Sequence, residues 1–251
     1  MSDLVQQWDA QQAAYIAGRE QRFDAMLDVL GLALPETFTV IDLACGPGSL
    51  AARVLSRFPN ATVVGVDLDP VLLRLAVDHL AGFGDRVRLV DADLTDPAWV
   101  EQVTGQLAGA PDAFVSTTAL HWLQPAELVD LYAQAHAALA PRGLLLNGDH
   151  LRFDDRLPRV RAWSAAHDES TQAESFVGGA STWDAWWSAV EAVPELAELK
   201  AVRDERFATR PAPPSTTVEL HLAALRQAGF AECGTVWQLL DDYVVYGAAD
   251  R

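Results

Sequence analysis

The chain is short of positive charge. In 251 residues it has 18 Lys and Arg against 35 Asp and Glu, a net charge of −17. A phosphate-backbone partner is recognised by clustered Lys and Arg, and no run here makes such a cluster, so nucleic acid is not expected as a partner. Cysteine is scarcer still. Cys45 and Cys233 are the whole complement. Their wide separation argues against a disulfide framework and for a reducing, cytoplasmic setting. No apolar run approaches the roughly 18 residues that a spanning helix requires, so no membrane partner is expected. Met1-Ser2-Asp3-Leu4 has neither the basic nor the apolar segment of a secretion signal. Internal repeats and low-complexity tracts are also missing. Half of the residues are hydrophobic, enough for one large α/β domain with an insertion or for two small domains.

What the chain does have is a strand, a glycine turn and a helix in succession. Phe38 to Leu43 reads as a buried strand, interrupted by the acid Asp42. Gly46-Pro47-Gly48 breaks it, and a helical pattern starts at Ser49. Glycines there let the backbone turn sharply and let a ligand approach within contact distance. The first N–H groups of the new helix have no partners of their own and face whatever lies over the turn. This is the opening of a nucleotide site.

The pattern then alternates. Strand 38–44 leads to helix 49–58, strand 61–66 to helix 70–81, and strand 86–91 to a short helix near 97–107. Strand 112–116 leads to helix 125–139, and strand 143–148 ends at Asp149-His150. Five such repeats predict a doubly wound parallel sheet. Helix 217–228 and strands 232–239 and 243–248, joined at Asp241-Asp242, close the chain with an antiparallel hairpin. Residues 4–32 carry apolar positions at helical spacing, suited either to a lid over the sheet's mouth or to packing on its edge. Residues 151–214 hold four of the eight tryptophans, Trp163, Trp183, Trp186 and Trp187. Helices are expected there near 156–168 and 182–209. Those indoles suit either a small core or the wall of a substrate pocket.

Taken alone, Gly46-x-Gly48-x-x-Ala51 also fits a dinucleotide fingerprint, with Asp67 roughly 20 residues further on. Three features point elsewhere. Asp42 lies inside the first strand, where a pyrophosphate binder gains nothing from another negative charge. Asp93 adds a carboxylate at the end of the third strand, and the chain ends in a hairpin instead of a second βαβαβ half. Acids around one glycine turn suit a cationic ligand.

Asp42-Leu-Ala-Cys-Gly-Pro-Gly-Ser resembles the first motif of class I S-adenosylmethionine-dependent methyltransferases of the small-molecule type. The resemblance covers residues 38–150, and more loosely the last helix and hairpin. It implies an α/β fold with a seven-stranded, mostly parallel sheet of order 3-2-1-4-5-7-6. It divides the chain into a helical lid (1–37), a cofactor domain (38–150 and 215–251) and a helical insertion after strand 5 (151–214). It further implies S-adenosyl-L-methionine as cofactor and S-adenosyl-L-homocysteine as product. Gly46 and Gly48 would underlie the methionine part, Asp42 would hold its ammonium, and Asp67 would take the ribose hydroxyls. Asp93 would accept from the adenine amino group, with Leu68 and Leu94 flanking the ring. Ala44, Thr117 and, at the methionine carboxylate, Arg19 complete the cofactor set.

Methyl transfer needs an in-line nucleophile, a dry site and in some cases a base. His121 and His150 follow the fourth and fifth strands on the carboxyl rim and are the base candidates. His79, His136 and His221 fall on expected helices as solvated residues, and Asp69, Asp91 and Asp96 read as caps or solvated charges. Cys45 reads as a small filler under the turn. No His, Asp and Glu spacing calls for a metal. The expected acceptor is a small apolar or aromatic molecule, methylated at O, N or C, and a homodimer is compatible with the chain. Three alternatives remain open at this point: another S-adenosylmethionine-using reaction, a nicotinamide oxidoreductase, and a cofactor-sensing module without catalysis.

Overall fold

Seven strands form one sheet in a computed structural model that describes residues 1–250. They are β1 (Thr39–Leu43), β2 (Thr62–Asp67), β3 (Val87–Asp91), β4 (Ala113–Thr117), β5 (Leu144–His150), β6 (Glu232–Leu239) and β7 (Asp242–Ala248). The order is β3-β2-β1-β4-β5-β7-β6. Strands β1 to β5 pair in parallel, and β7 lies antiparallel between β5 and β6. The expected order and hairpin are both found. The buried strands are rich in Val, Ile and Leu because helices cover both faces of the sheet.

Ten helices surround it: α1 (Ser2–Tyr15), α2 (Arg19–Ala33), α3 (Ser49–Arg57), α4 (Pro70–Leu80), α5 (Trp99–Thr104), α6 (Pro125–Ala138), α7 (Pro158–Val177), α8 (Trp183–Glu191), α9 (Pro194–Phe207) and α10 (Val218–Ala228). One face packs Trp99, Phe114, Leu128, Tyr132 and Leu225 into a core. The other packs Phe23, Met26, Leu30, Leu50, Val54 and Leu80. Thus α2 is a layer of the sheet. It crosses β5 at Gly148, where an added Cβ would come within 3.1 Å of the Arg22 and Met26 side chains. No helix among the described residues is long and apolar enough to cross a membrane.

Two expectations for residues 151–214 are corrected. The first helix runs on to Val177 because nothing breaks it before Gly178; its polar second half hid its length. The stretch 182–209 is two helices, split where Pro194 takes the first position of α9. Proline has no N–H to give a preceding turn, so it starts helices and does not continue them. The tryptophans are also redistributed. Trp186 and Trp187 are buried with Val190 and Leu196 against Leu4, Val5, Val71, Leu72 and Leu75. The Trp186 indole N–H donates to the Leu4 carbonyl at 3.0 Å, and Trp8 stands edge-on to Trp186. These two indoles form a core that joins α1, α4, α8 and α9, and the edge of Trp187 also lines an open cleft with Trp183, Lys200 and Arg203. Trp163 and Trp183 are exposed.

Trp186→Ala should therefore cost about 3–5 kcal/mol, the range for a large buried aromatic, read as a lowered urea midpoint. A loss no greater than that of Trp163→Ala would contradict this packing.

Candidate active site

The turn after β1 is built from left-handed backbone. Ala44 (φ 52°), Gly46 (φ 56°) and Gly48 (φ 84°) all lie at positive φ. At Gly48, the N-cap of α3, a side chain would also meet Leu80 at 2.6 Å. The turn is tied to the neighbouring strand: the Cys45 N–H donates to Val66 O at 2.9 Å, and the Gly46 N–H donates to Asp67 Oδ2 at 2.7 Å. Asp67 also accepts from the Asp69 N–H at 2.8 Å. Two backbone bonds thus aim the carboxylate at the end of β2 and leave it lone pairs for a ligand.

Asp42 pairs in register with Gly65 and Val115 and is 1 % exposed. Its Oδ2 has no hydrogen-bond partner. Burial pushes its pKa up to about 8; the Ala51 N–H opposes the shift and the Asp67 charge adds to it. Burial likewise raises Asp67 to about 6, against the N–H groups it accepts from. Arg19 is also buried, bonded to Asp9 at 2.9 Å, while its Nη1 makes no hydrogen bond and has only a 3.7 Å ion pair with Glu20. A buried acceptor without a donor at Asp42 and a buried N–H without a hydrogen-bond acceptor at Arg19 are what the ammonium and carboxylate of a methionine group require. The residues fit the cofactor. Burial together with the Asp67 and Asp42 charges pushes the Cys45 thiol well up, so it is filler and not a nucleophile.

At the other end, Asp93 Oδ1 accepts from the Thr95 N–H (2.9 Å) and hydroxyl (2.8 Å), and Oδ2 accepts from Arg210 at 2.6 Å. Leu68 is half-buried and gives its carbonyl to Arg206. Leu94 is half-buried against the core. Asp69 caps α4 and Asp96 caps the turn before α5, as expected. Asp69 also takes Arg203 at 2.6 Å, and Asp91 is a bidentate partner of Arg206 at 2.7 and 2.9 Å. These arginines were missed by the sequence reading. Their spacing of three and four places them on one side of α9 and its extension, a signal that is there but mute without its acidic partners.

The third part of the rim follows β4 and β5. Asp149 is fully buried and accepts three times: from the His121 ring at Nδ1 (2.7 Å), from the His121 N–H (2.9 Å) and from the His150 N–H (2.9 Å). Although burial disfavours its charge, His121 and His150 outweigh burial and hold Asp149 well below the usual carboxylate range. Burial also works against a charged His121, yet Asp149 raises its pKa above the ordinary histidine value. The His150 ring lies 2.7 Å from Asp242 but out of line for a hydrogen bond, and 6.4 Å from the His121 ring. Arg22, fully buried, donates to Thr117 Oγ1 at 3.0 Å and to Thr118 Oγ1, and faces Asp242 at 3.4 Å. Thr118 is at φ 55°. His79, His136 and His221, expected as solvated helix residues, are not so placed. His221 is buried against Tyr132 at 2.8 Å, His79 bonds to Pro47 O at 2.8 Å, and His136 packs edge-on to Phe230. Each helix turns its histidine toward a neighbour, which one helix's periodicity does not reveal.

The comparisons with known proteins fit this geometry. A family profile described as a methyltransferase domain matches residues 40–143. Trans-aconitate 2-methyltransferase of Variovorax paradoxus is 36% identical over 112 residues, 45% of this chain and 38% of that protein. Ribosomal RNA small subunit methyltransferase H of Leifsonia xyli is 49% identical over 65 residues, 26% of this chain and 20% of that protein. The matched part of the chain thus spans well under half the length of these curated relatives. In structure, an O-methyltransferase family protein from Burkholderia thailandensis superposes with a TM-score of 0.58 at 22% identity, over 90% of this chain and 55% of that one. Human N-acetylserotonin methyltransferase, solved with S-adenosylmethionine, superposes with a TM-score of 0.54 at 15% identity, over 91% and 52%.

The raised acids carry a pH prediction. Ionised Asp42 attracts the ammonium that S-adenosylhomocysteine carries and ionised Asp67 accepts more strongly from its ribose hydroxyls, so affinity for S-adenosylhomocysteine should rise as pH passes from about 6 to about 8. Calorimetry in buffers of differing ionisation heat should record proton release, and Asp42→Asn should flatten the dependence. In the unliganded protein the sense is opposite. The stability drawn from the two protonated acids is present below the ordinary carboxylate pKa and is lost as pH rises through about 8.

Proposed function

We propose, on the premise that residues 40–143 are a methyltransferase domain of the class I, S-adenosylmethionine-dependent kind, that the chain methylates a hydroxyl of a small, largely apolar or aromatic acceptor. The observation that carries the choice of a hydroxyl is the His121–Asp149 pair. Asp149 takes the proton-bearing Nδ1 of His121, which leaves Nε2 as the basic nitrogen. The ring is 23% exposed, and Nε2 has no protein partner among the described residues. A hydroxyl must lose its proton as it becomes a nucleophile, and such a base can receive it. A carboxylate acceptor arrives already ionised and makes no use of a base. Trp122, 55% exposed and tilted on His121 at 5.6 Å, supplies an aromatic face beside the base.

The cofactor supplies a methyl group on a sulfonium, an electrophile that needs no metal. The rest falls to this chain's residues. Asp42 would receive the ammonium, with Ala44, Gly46 and Gly48 letting the methionine lie close to the backbone and Arg19 taking the carboxylate. Asp67 would accept from the two ribose hydroxyls, and Asp93 from the adenine amino group, with Leu68 and Leu94 on the ring. Thr117, held by Arg22 at the end of β4, would border the methyl. Residues 151–214 together with α1 would roof the site and exclude water. His150 stands as the second base candidate, with Asp242 beside its ring.

Three measurements test this reading. Asp67→Ala should weaken S-adenosylhomocysteine binding about 10- to 100-fold, the range for lost hydrogen bonds to a charged group; unchanged affinity would place the ribose elsewhere. Against a panel of phenols, enols, amines and carboxylates, turnover should appear with the hydroxyl compounds, and turnover of carboxylates alone would overturn the proposal. With a working acceptor, His121→Ala should lower kcat about 10²- to 10⁴-fold. The wild-type rate should rise with pH through a limb above the ordinary histidine value. Asp149→Asn should move that limb downward, because burial then acts on the imidazole unopposed.

A further inference from the structure

The carboxylate and adenine ends of the site just described are each filled by a side chain of the protein's own, with the chemistry of the ligand group expected there. At the methionine end it is Asp9 of α1. Its Oδ1 accepts from Arg19 Nη2 at 2.9 Å and from Ser49 Oγ, the first residue of α3, at 2.6 Å. Its Oδ2 lies 3.6 Å from Arg53. Burial opposes its charge, yet Arg19, Ser49 and Arg53 together hold it below the usual carboxylate range. A carboxylate on the arginine proposed for the methionine carboxylate, at the head of the glycine-turn helix, is a copy of that group.

At the adenine end it is Arg210. Its Nη2 donates to Asp93 Oδ2 at 2.6 Å, the oxygen left over once Thr95 has taken Oδ1. An adenine amino group would give Asp93 the same thing, an N–H. Arg210 is kept in place by α9, whose Arg203 and Arg206 hold Asp69, Asp91 and the Leu68 carbonyl at the ends of β2 and β3. The two segments that carry Asp9 and Arg210 share one core, since α1 and α8–α9 meet through Trp186 and Leu196 against Leu4 and Val5.

We infer that Asp9 and Arg210 are internal competitors of the cofactor, which set its affinity by occupying the carboxylate and adenine subsites until it displaces them. The inference rests on the cofactor assignment above. It has an unusual consequence. Salt ordinarily weakens binding of a charged ligand to an acidic site, but here it also loosens the pairs that block the site. Removing either competitor should tighten binding.

The test is titration with S-adenosylhomocysteine, adenosine and methionine in turn. Arg210→Gln should tighten S-adenosylhomocysteine and adenosine about three- to tenfold, the size of one partly exposed ion pair, and leave methionine unchanged. Asp9→Asn should tighten S-adenosylhomocysteine and methionine by a similar factor and leave adenosine unchanged. Arg57→Gln, which breaks the exposed Arg57–Asp28 pair on the far end of α3, should alter none of them. Wild-type binding that is unchanged or weaker in Arg210→Gln and Asp9→Asn, with thermal melting showing both folded, would overturn the inference and leave the cofactor assignment standing. Wild-type protein that binds none of the three ligands would overturn the assignment, and the inference with it.

Discussion

Carboxyl groups held out of water beside one glycine turn are the constraint on which this molecule depends. Asp42 sits in the middle of a buried strand, and Asp67 accepts the turn's own N–H. A carboxylate in such a place is costly unless it is protonated or paired. No cation among the described residues meets Asp42, and its Oδ2 has no partner there. The chain therefore keeps a group that is ill at ease when alone and becomes well placed when a cation arrives. That is a binding site described by its unmet requirement. It also explains why the turn tolerates Ala44 at positive φ: backbone strain at a functional turn is retained where the surroundings impose it.

The same logic runs through the rim after β5 with the opposite outcome. Asp149 is as buried as Asp42, but it accepts two backbone N–H groups and an imidazole and lies near Arg22, so it stays ionised. One sheet thus holds two buried acids in different states, one waiting for an external cation and one already satisfied by an internal ring. Placing the acids apart in this way would separate the proposed binding role from the proposed proton-handling role.

Much of this could be read from the chain. The alternation of strand and helix, the closing hairpin and the acids at residues 42, 67 and 93 are local patterns, and local patterns survive without coordinates. What could not be read is pairing across long separations. Asp149 was legible only as the neighbour of His150, yet it serves His121, which lies 28 residues earlier. Arg203, Arg206 and Arg210 drew no reading from the sequence, because their partners lie near two strand ends more than 100 residues away. Trp186 and Trp187 suited either a small core or a pocket wall by composition. Their burial against Leu4 and Val71 follows from the path of α1, which no periodicity reports.

That path bears on what shapes the insertion. Within the insertion, short ion pairs of the arginines go to the ends of β2 and β3, the edge proposed for the cofactor. Three arginines reach Asp69, Asp91 and Asp93, and the Arg203 guanidinium also stacks on Trp187 at 4.2 Å from the ring centre. In a chain with 18 cations against 35 acids, placing three on one edge is a substantial commitment. It follows from the acids themselves. A pocket made negative for a sulfonium and an ammonium must still be stable when empty, and Coulomb repulsion between neighbouring carboxylates acts against that. Countercharge from α9 and the residues after it reduces the repulsion, and because the Arg206–Asp91 and Arg210–Asp93 pairs are partly exposed they can be exchanged at modest cost. The sequence of the insertion therefore answers to the cofactor as much as to the acceptor.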